Sequence, residues 1–425
     1  VAEYEATYAA IEAVWRIEQP RLIAALARIT GDVDAAEELA QDALVIALEQ
    51  WPVQGVPDGP GAWLMATAKH RAIDLIRRRA SYQRKLLEVG REMEAQAPVL
   101  GEIDVTEMDE RIGDDLLRLI FIACHPVLAA QARAALTLRL IGGLTTHEIA
   151  RAFLVAEPTI AQRIVRAKRT LAREKIPFEI PAPGELTSRV GSVLDVIYLI
   201  FNEGYAATSG QDWIRPELCA EALRLGRVLA GLMPRDIEAL GLAALMELQA
   251  SRIPARTSPA GDPVLLTDQD RLRWDRLLIR RGLAVLARAG ELDAAPGRYA
   301  VQAEIAACHA QAGSVADTDW ERIAALYVVL AHLSPSPVVE LNRAVAVGMA
   351  YGPARGLRIV DTLIGQPVLA GYAQLPAVRG DLLAKLGRMA EARAEFTRAA
   401  ALTSNERQRD IFLARACACL GVQRA

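Results

Sequence analysis

Apolar residues return every three to four positions along almost the whole chain, and no stretch of useful length alternates apolar with polar. That period buries one stripe of each helix and leaves no half-buried strand with which to build a sheet. The chain therefore predicts an all-α protein. Composition agrees: alanine, leucine and arginine dominate, aromatics are only 5%, and 52% hydrophobic residues supply ample core for 425 residues. At about 150 residues per domain, about three domains are expected. A disordered or fibrous chain is excluded. No run of about 18 uncharged apolar residues occurs, so no membrane span is expected. The first residues, to Glu18, lack a basic opening and do not read as a signal peptide. Cys124, Cys219, Cys308, Cys417 and Cys419 are few, odd in number and scattered, which fits a reducing cytoplasm rather than a disulfide framework.

The charge balance, 49 basic against 52 acidic residues for a net −3, excludes a uniformly basic coat for nucleic acid. It hides strong local bias. Asp32 to Glu49 holds six acids and no base, and Lys69 to Lys85 seven bases and one acid. Glu102 to Asp115 holds seven acids and one base, and Arg163 to Lys175 six bases and one acid. One such block is an ordinary solvated helix face; four alternating blocks point to binding surfaces.

Turn formers divide the chain. A helix over Ile11 to Ile29 stops at Gly31-Asp32, and Asp32 or Asp34 caps the next, to Gln50. Pro52 to Gly61 is dense in Pro and Gly and predicts a loop. A further helix runs from about Ala62 past Arg79, and residues 90 to 110 read as an acidic linker. Leu116 to Ile176 is helical, broken at Pro126, at Gly142-Gly143 and around Val155 to Pro158. Pro177, Pro181, Pro183 and Gly184 mark a second boundary. The domains expected are 1–85, a linker 86–115, 116–178 and 186–425.

On the second helix, i, i+3, i+4 spacing places Glu38, Gln41 and Asp42 on one face suited to a basic protein partner. On the next, Leu64, Ala68, Ala72 and Leu75 form the buried stripe, while Lys69, His70, Arg77 and Arg78 lie toward the other side. An aromatic such as Trp63 beside cations can stack on an unpaired base while the cations hold phosphates. The bland alternative is a core tryptophan.

Order, spacing and residue type from Val14 to about Arg79 together resemble the promoter-melting domain of an RNA polymerase sigma factor of the extracytoplasmic-function group. The resemblance implies that Glu37, Glu38, Gln41 and Asp42 dock on the clamp of the polymerase β′ subunit. It implies that Trp63, Lys69, His70, Arg71, Arg77 and Arg78 recognise and open the minus-10 element. Leu44 stands where an aromatic is common, and Lys69-His70 where Arg-Asn is common, so the minus-10 sequence does not carry over.

The third segment reads as a helix-turn-helix. Thr145 is the N-cap of a short helix with Glu148 at the capping-box position, and Pro158 suits the first turn of the helix from Glu157 to Lys175. Ile149, Ala150, Phe153, Ile160, Ile164 and Leu171 supply its core. Its second helix presents Thr159, Gln162, Arg163, Arg166, Lys168 and Arg169, of which Arg and Gln can read base edges. The segment is similar to the minus-35-binding domain of the same group, which also meets the polymerase β flap. Cys124-His125 has no second ligand pair at zinc spacing and reads as packing.

Near the end, Gly380, Gly387, Ala392, Phe396 and Ala399 have the spacing of a tetratricopeptide helix pair, with Leu383 at the usual aromatic position and Ser404 where Pro is usual. Leu341 to Leu363 resembles it loosely, with Gly352 opposite Gly387. Leu194 to Tyr205, Leu265 to Arg271 with Trp274-Asp275, and Pro335 to Ala344 look like the C-terminal extension of one sigma-factor subgroup. Their polar residues Asn202, Glu203, Asp268, Asp270, Arg271, Asp275, Glu340, Asn342 and Arg343 either line a groove or lock helix pairs by buried hydrogen bonds.

The expected protein is a cytoplasmic alternative sigma factor without catalytic residues, metal or cofactor. Its partners are polymerase core, promoter DNA and a protein or small-molecule regulator of the C-terminal part. The rival reading is a one-component helix-turn-helix regulator with a sensing domain, which would have no use for the acidic face.

Overall fold

The computed structural model describes residues 2–88, 108–153, 155–205, 214–258, 264–403 and 406–421. Among them the regular elements are all helical, and none is long and apolar enough to cross a membrane. The chain divides into two compact units, residues 1–197 and 198–425.

The first unit contains α1 (Ala2–Thr30), α2 (Val33–Gln54), α3 (Pro60–Glu88), α4 (Met108–Ala123), α5 (Ala130–Leu140), α6 (Thr146–Phe153), α7 (Glu157–Arg173) and the first part of α8 (Pro183–Tyr205). Of the two candidates, Asp32 caps α2, accepting from the Asp34 and Ala35 amides at 2.8 and 3.3 Å. Ala36, Ala40, Ala43 and Ala47 of α2 are fully buried, as are Leu22, Ile23 and Leu26 of α1 and Ala68 and Ala72 of α3, to within 1%. An alanine stripe lets neighbouring helices approach closely.

The loop expected over 52–61 is shorter. α2 runs through Pro52 to Gln54 and α3 starts at Pro60. Proline removes one helical hydrogen bond, tolerable in a last turn where the Trp51 side chain is buried and its carbonyl accepts from the Gly55 amide at 2.9 Å. At the first position of α3, Pro60 removes an amide that would have had no helical partner. Most of the expected acidic linker, 89–107, lies outside the described residues.

The capping box forms as expected. The Thr145 amide donates to Glu148 Oε2 at 2.7 Å, and the Glu148 amide donates to Thr145 Oγ1 at 3.1 Å. Ile149, Ala150, Ile160, Ile164, Ala167 and Leu171 are buried between α5, α6 and α7. Asp115, buried, ties α4 to α1 by accepting from Arg28 at 2.9 Å, and it also accepts from Arg118 at 2.7 Å.

The second unit continues with α9 (Pro216–Leu232), α10 (Ile237–Ala250), α11 (Arg276–Gly290), α12 (Arg298–Gln311), α13 (Trp320–Leu333), α14 (Pro337–Tyr351), α15 (Pro353–Leu363), α16 (Gln374–Lys385), α17 (Met389–Leu402) and α18 (Glu406–Gly421). α10 is buried on nearly every side and packs on α9, α11 and α12. From α13 onward successive helices pack on one another as hairpins. A Cβ on Gly380 of α16 would stand 3.0 Å from the Phe396 ring of α17, so glycine sets that approach. Leu383, Ala392 and Ala399 are fully buried around it. Gly352 and Gly387, set opposite each other in the sequence comparison, both hold left-handed φ, +96° and +76°, at the turns of their hairpins. Ser404 lies outside the described residues.

Candidate nucleic-acid interface

The two expected surfaces of the first unit lie on α2–α3 and on α7. On α2, Glu38, Gln41 and Asp42 are exposed, but Glu37 is only 5% exposed. One helical position rotates a side chain by about 100°, enough to move from the solvent face to the packed one. There Glu37 accepts from Arg139 Nε of α5 at 2.7 Å and pairs with Lys168 Nζ of α7 at 2.7 Å. Lys168 also donates to Asp34 at 2.6 Å. Burial by itself lowers the Lys168 pKa, but the Glu37 and Asp34 carboxylates outweigh it and the net displacement is upward. A raised lysine pKa stabilises the fold fully below the ordinary lysine value, and that stabilisation fades only as pH rises through the folded one. The bridge is therefore intact across neutral pH.

On α3, His70, Arg71, Arg77 and Arg78 are exposed. Arg71 donates to Asp42 at 2.8 Å, so the acidic and basic faces meet edge to edge. Trp63 is half-buried and packs edge-on against Trp51, ring centroids 5.3 Å apart, which combines core packing with an accessible edge. Lys69 is half-buried; burial and then the Arg28 charge lower its pKa. On α7, Thr159, Gln162, Arg166 and Arg169 are exposed and Arg163 is half-buried. Lys168 lies nine residues after Thr159, about 180° around the helix, and faces α2 instead.

Sequence reasoning missed Arg139 and the inward turn of Glu37 and Lys168. Arg139 is 102 residues from Glu37, and no local pattern reports a partner at that distance. The packing reading of Cys124 is matched by its surroundings. Its Sγ lies 3.3 Å from Thr137 Oγ1, and burial pushes the thiol up to about 11, keeping it a poor metal ligand.

Most of the polar residues singled out in the second unit act structurally. Asp270 and Asp275 cap helices, accepting from the Leu272 amide at 2.9 Å and the Leu277 amide at 2.8 Å. Glu203 pairs with Arg215, and Glu340 with Arg343 at 2.7 Å. Asn202 and Asn342 are exposed.

Residues 14–82 match the Sigma-70 region 2 family and residues 118–171 the Sigma-70 region 4 family. Residues 189–290 match a family of unknown function, DUF6596. Over 180 residues, 42% of this chain and 60% of the other, the chain is 25% identical to the Probable ECF RNA polymerase sigma factor SigI of Mycobacterium tuberculosis. Region 2 followed by region 4 in one all-α chain defines a sigma-70-family sigma factor, a DNA-binding protein of transcription initiation. The chain is 43% identical over 397 residues to Uncharacterized protein R00370 of Rhizobium meliloti, covering 91% of this chain and 90% of that one, and it belongs to the same family.

Proposed function

We propose that the protein is an alternative sigma factor of the extracytoplasmic-function kind, which binds RNA polymerase core and directs it to particular promoters. The observation that supports this best is the pairing, within one unit, of an exposed acidic α2 face with an exposed basic α7 face. Glu38, Gln41 and Asp42 meet the β′ clamp. Trp63 and the α3 cations engage the minus-10 element, and α7 the minus-35 element, while the region 4 module meets the β flap. The helices after residue 186 form a tetratricopeptide-like regulatory domain. Run-off transcription with purified core polymerase on the DNA upstream of the gene tests this. A discrete transcript that needs both components is expected. No transcript, with salt-sensitive binding of that DNA by the protein alone, would replace the reading with a one-component regulator.

Base reading and phosphate holding separate on α7. Arg166→Ala should cost about 1–3 kcal/mol at the base pair it reads and relax specificity there. Arg169→Ala should weaken binding evenly across sequences and lower the salt slope by about one. Competition binding across single-base variants of the site checks both, and identical profiles for the two variants would refute the division.

Glu37 is held by Arg139 and Lys168, so its docking on the clamp requires region 4 to leave α2. Replacing both cations (Arg139→Met with Lys168→Met) strands a buried carboxylate, a loss of about 3–5 kcal/mol. Amides of α2 and α5 should then exchange with solvent roughly 100- to 4,000-fold faster, at about 1.4 kcal/mol per tenfold. Unchanged exchange would show that the bridge does not hold the two modules together.

A further inference from the structure

Three arginines of the second unit converge around two aromatic rings. The guanidinium carbons of Arg252 and Arg256 lie 5.8 and 3.7 Å from the centroid of the Tyr205 ring. Those of Arg252 and Arg271 lie 5.9 and 5.0 Å from the Trp274 ring. Clustered buried cations are ordinarily held by carboxylates. Arg271 instead donates to the carbonyls of His309 and Ala312 and to Thr318 Oγ1. Among its partners Arg256 has the Tyr205 carbonyl, to which it donates at 2.9 Å. The Arg252 side chain makes no hydrogen bond or ion pair with a described residue, and its Nε is buried without an acceptor. Arg271 Nε and Trp274 Nε1 are buried donors without an acceptor as well. Burial and then the Arg252 and Arg271 charges push the nearby His309 down to about 3, so it is neutral at ordinary pH.

Arg252, Arg256, Tyr205 and Gln269 line a cavity of about 210 Å³, and among the described residues its walls carry no carboxylate. Val264, Leu265, Leu266 and Phe412 continue from it into an apolar groove of about 870 Å³ that includes Val345 and Met349. Two carboxylates lie on the groove wall. Asp381 is paired with Lys385 at 2.9 Å and with Arg415 at 2.5 Å, and Asp268 stands on the 3₁₀ turn Leu266–Asp268. A donor-rich, cation-lined end opening into an apolar trough is the recognition pattern for a small amphiphile with an anionic head.

We propose that this part of the second unit binds a small organic anion. Its carboxylate or phosphate group sits on Arg252 beside Arg256, and its apolar body lies along Leu265, Phe412, Val345 and Met349. The site is a binding claim that stands whether or not the chain serves polymerase. Calorimetric titration of the full chain with octanoate, octyl phosphate, octanol and inorganic phosphate tests it. One or both anionic amphiphiles should bind saturably at one site, at least tenfold more tightly than octanol or inorganic phosphate. The tighter of the two identifies the head group. Arg252→Gln should weaken that binding at least tenfold and Arg252→Lys much less, with helicity by circular dichroism unchanged in both. Val345→Trp, which fills the trough away from the charges, should weaken the amphiphiles and leave phosphate as it was, and it carries the test if Arg252→Gln misfolds. Failure of both amphiphiles to bind, equal binding of octanol, or full affinity in Arg252→Gln would overturn the site. Inorganic phosphate binding as tightly as octyl phosphate would overturn its apolar half.

Discussion

Glu38→Lys combined with Asp42→Lys should abolish polymerase-dependent transcription and leave the protein folded. Both side chains are exposed on α2. The surface pair that Asp42 forms with Arg71 is about half exposed on each side, 50% and 48%, and is worth at most about 1 kcal/mol. Folding therefore loses little. Association loses far more, because two attractive contacts with a basic partner become two repulsive ones, and like charges facing across an interface cost several kcal/mol. A loss of about 4 kcal/mol is roughly a thousandfold in affinity for core polymerase. Fluorescence titration with core enzyme measures it, beside run-off transcription, and binding of minus-35 DNA through α7 is the internal control because that helix is untouched. A double variant that binds core and transcribes like the parent would remove α2 from the polymerase contact.

Arg271→Ala should damage the second unit as much as truncating one of its buried aromatics. The side chain is 7% exposed and reaches three acceptors, the His309 and Ala312 carbonyls at 2.7 and 2.9 Å and Thr318 Oγ1 at 2.9 Å. Alanine leaves the His309 carbonyl buried without that donor, at about 1–3 kcal/mol, takes one partner each from the half-buried Ala312 carbonyl and from Thr318, whose hydroxyl still donates to the Ser314 carbonyl at 3.0 Å, and opens a cavity beneath Trp274. A net loss of about 3–5 kcal/mol lowers the melting temperature of a unit this size by roughly 6–20 °C. Lysine will not rescue it, since one ammonium on a flexible stem cannot reproduce a planar fork serving three acceptors. Calorimetric melting checks this, and a shift under about 2 °C would show that the acceptors find other partners.

Arg271 also shows where sequence reading stops. It belonged to a polar set that could either line a groove or lock helices, and neither role has a sequence signature. Its neighbours Asp270 and Asp275 belonged to the same set and act as caps, a role that was not read from the sequence although it acts within two residues of each acid. Arg252, which carries the proposed anion site, was not singled out at all. It sits in an ordinary turn after α10, and its surroundings come from Tyr205, Gln269 and Trp274, brought together only by folding.

The features that the sequence by itself determined are those written over a few residues. These are the helical class from the apolar period, a cap at Asp32 or Asp34, the Thr145–Glu148 box, and the exposed faces of Glu38, Asp42, Gln162 and Arg166. Each depends on rotations of about 100° per residue and on hydrogen bonds spanning two to four positions, so the local order of side chains suffices. Only the tertiary structure decided that Glu37 and Lys168 leave those faces and meet each other. An amphipathic helix announces which side is apolar. Whether a charge at the boundary of that side meets water or a partner such as Arg139, 102 residues away, depends on which helix packs there, and that is settled by the burial of the whole unit.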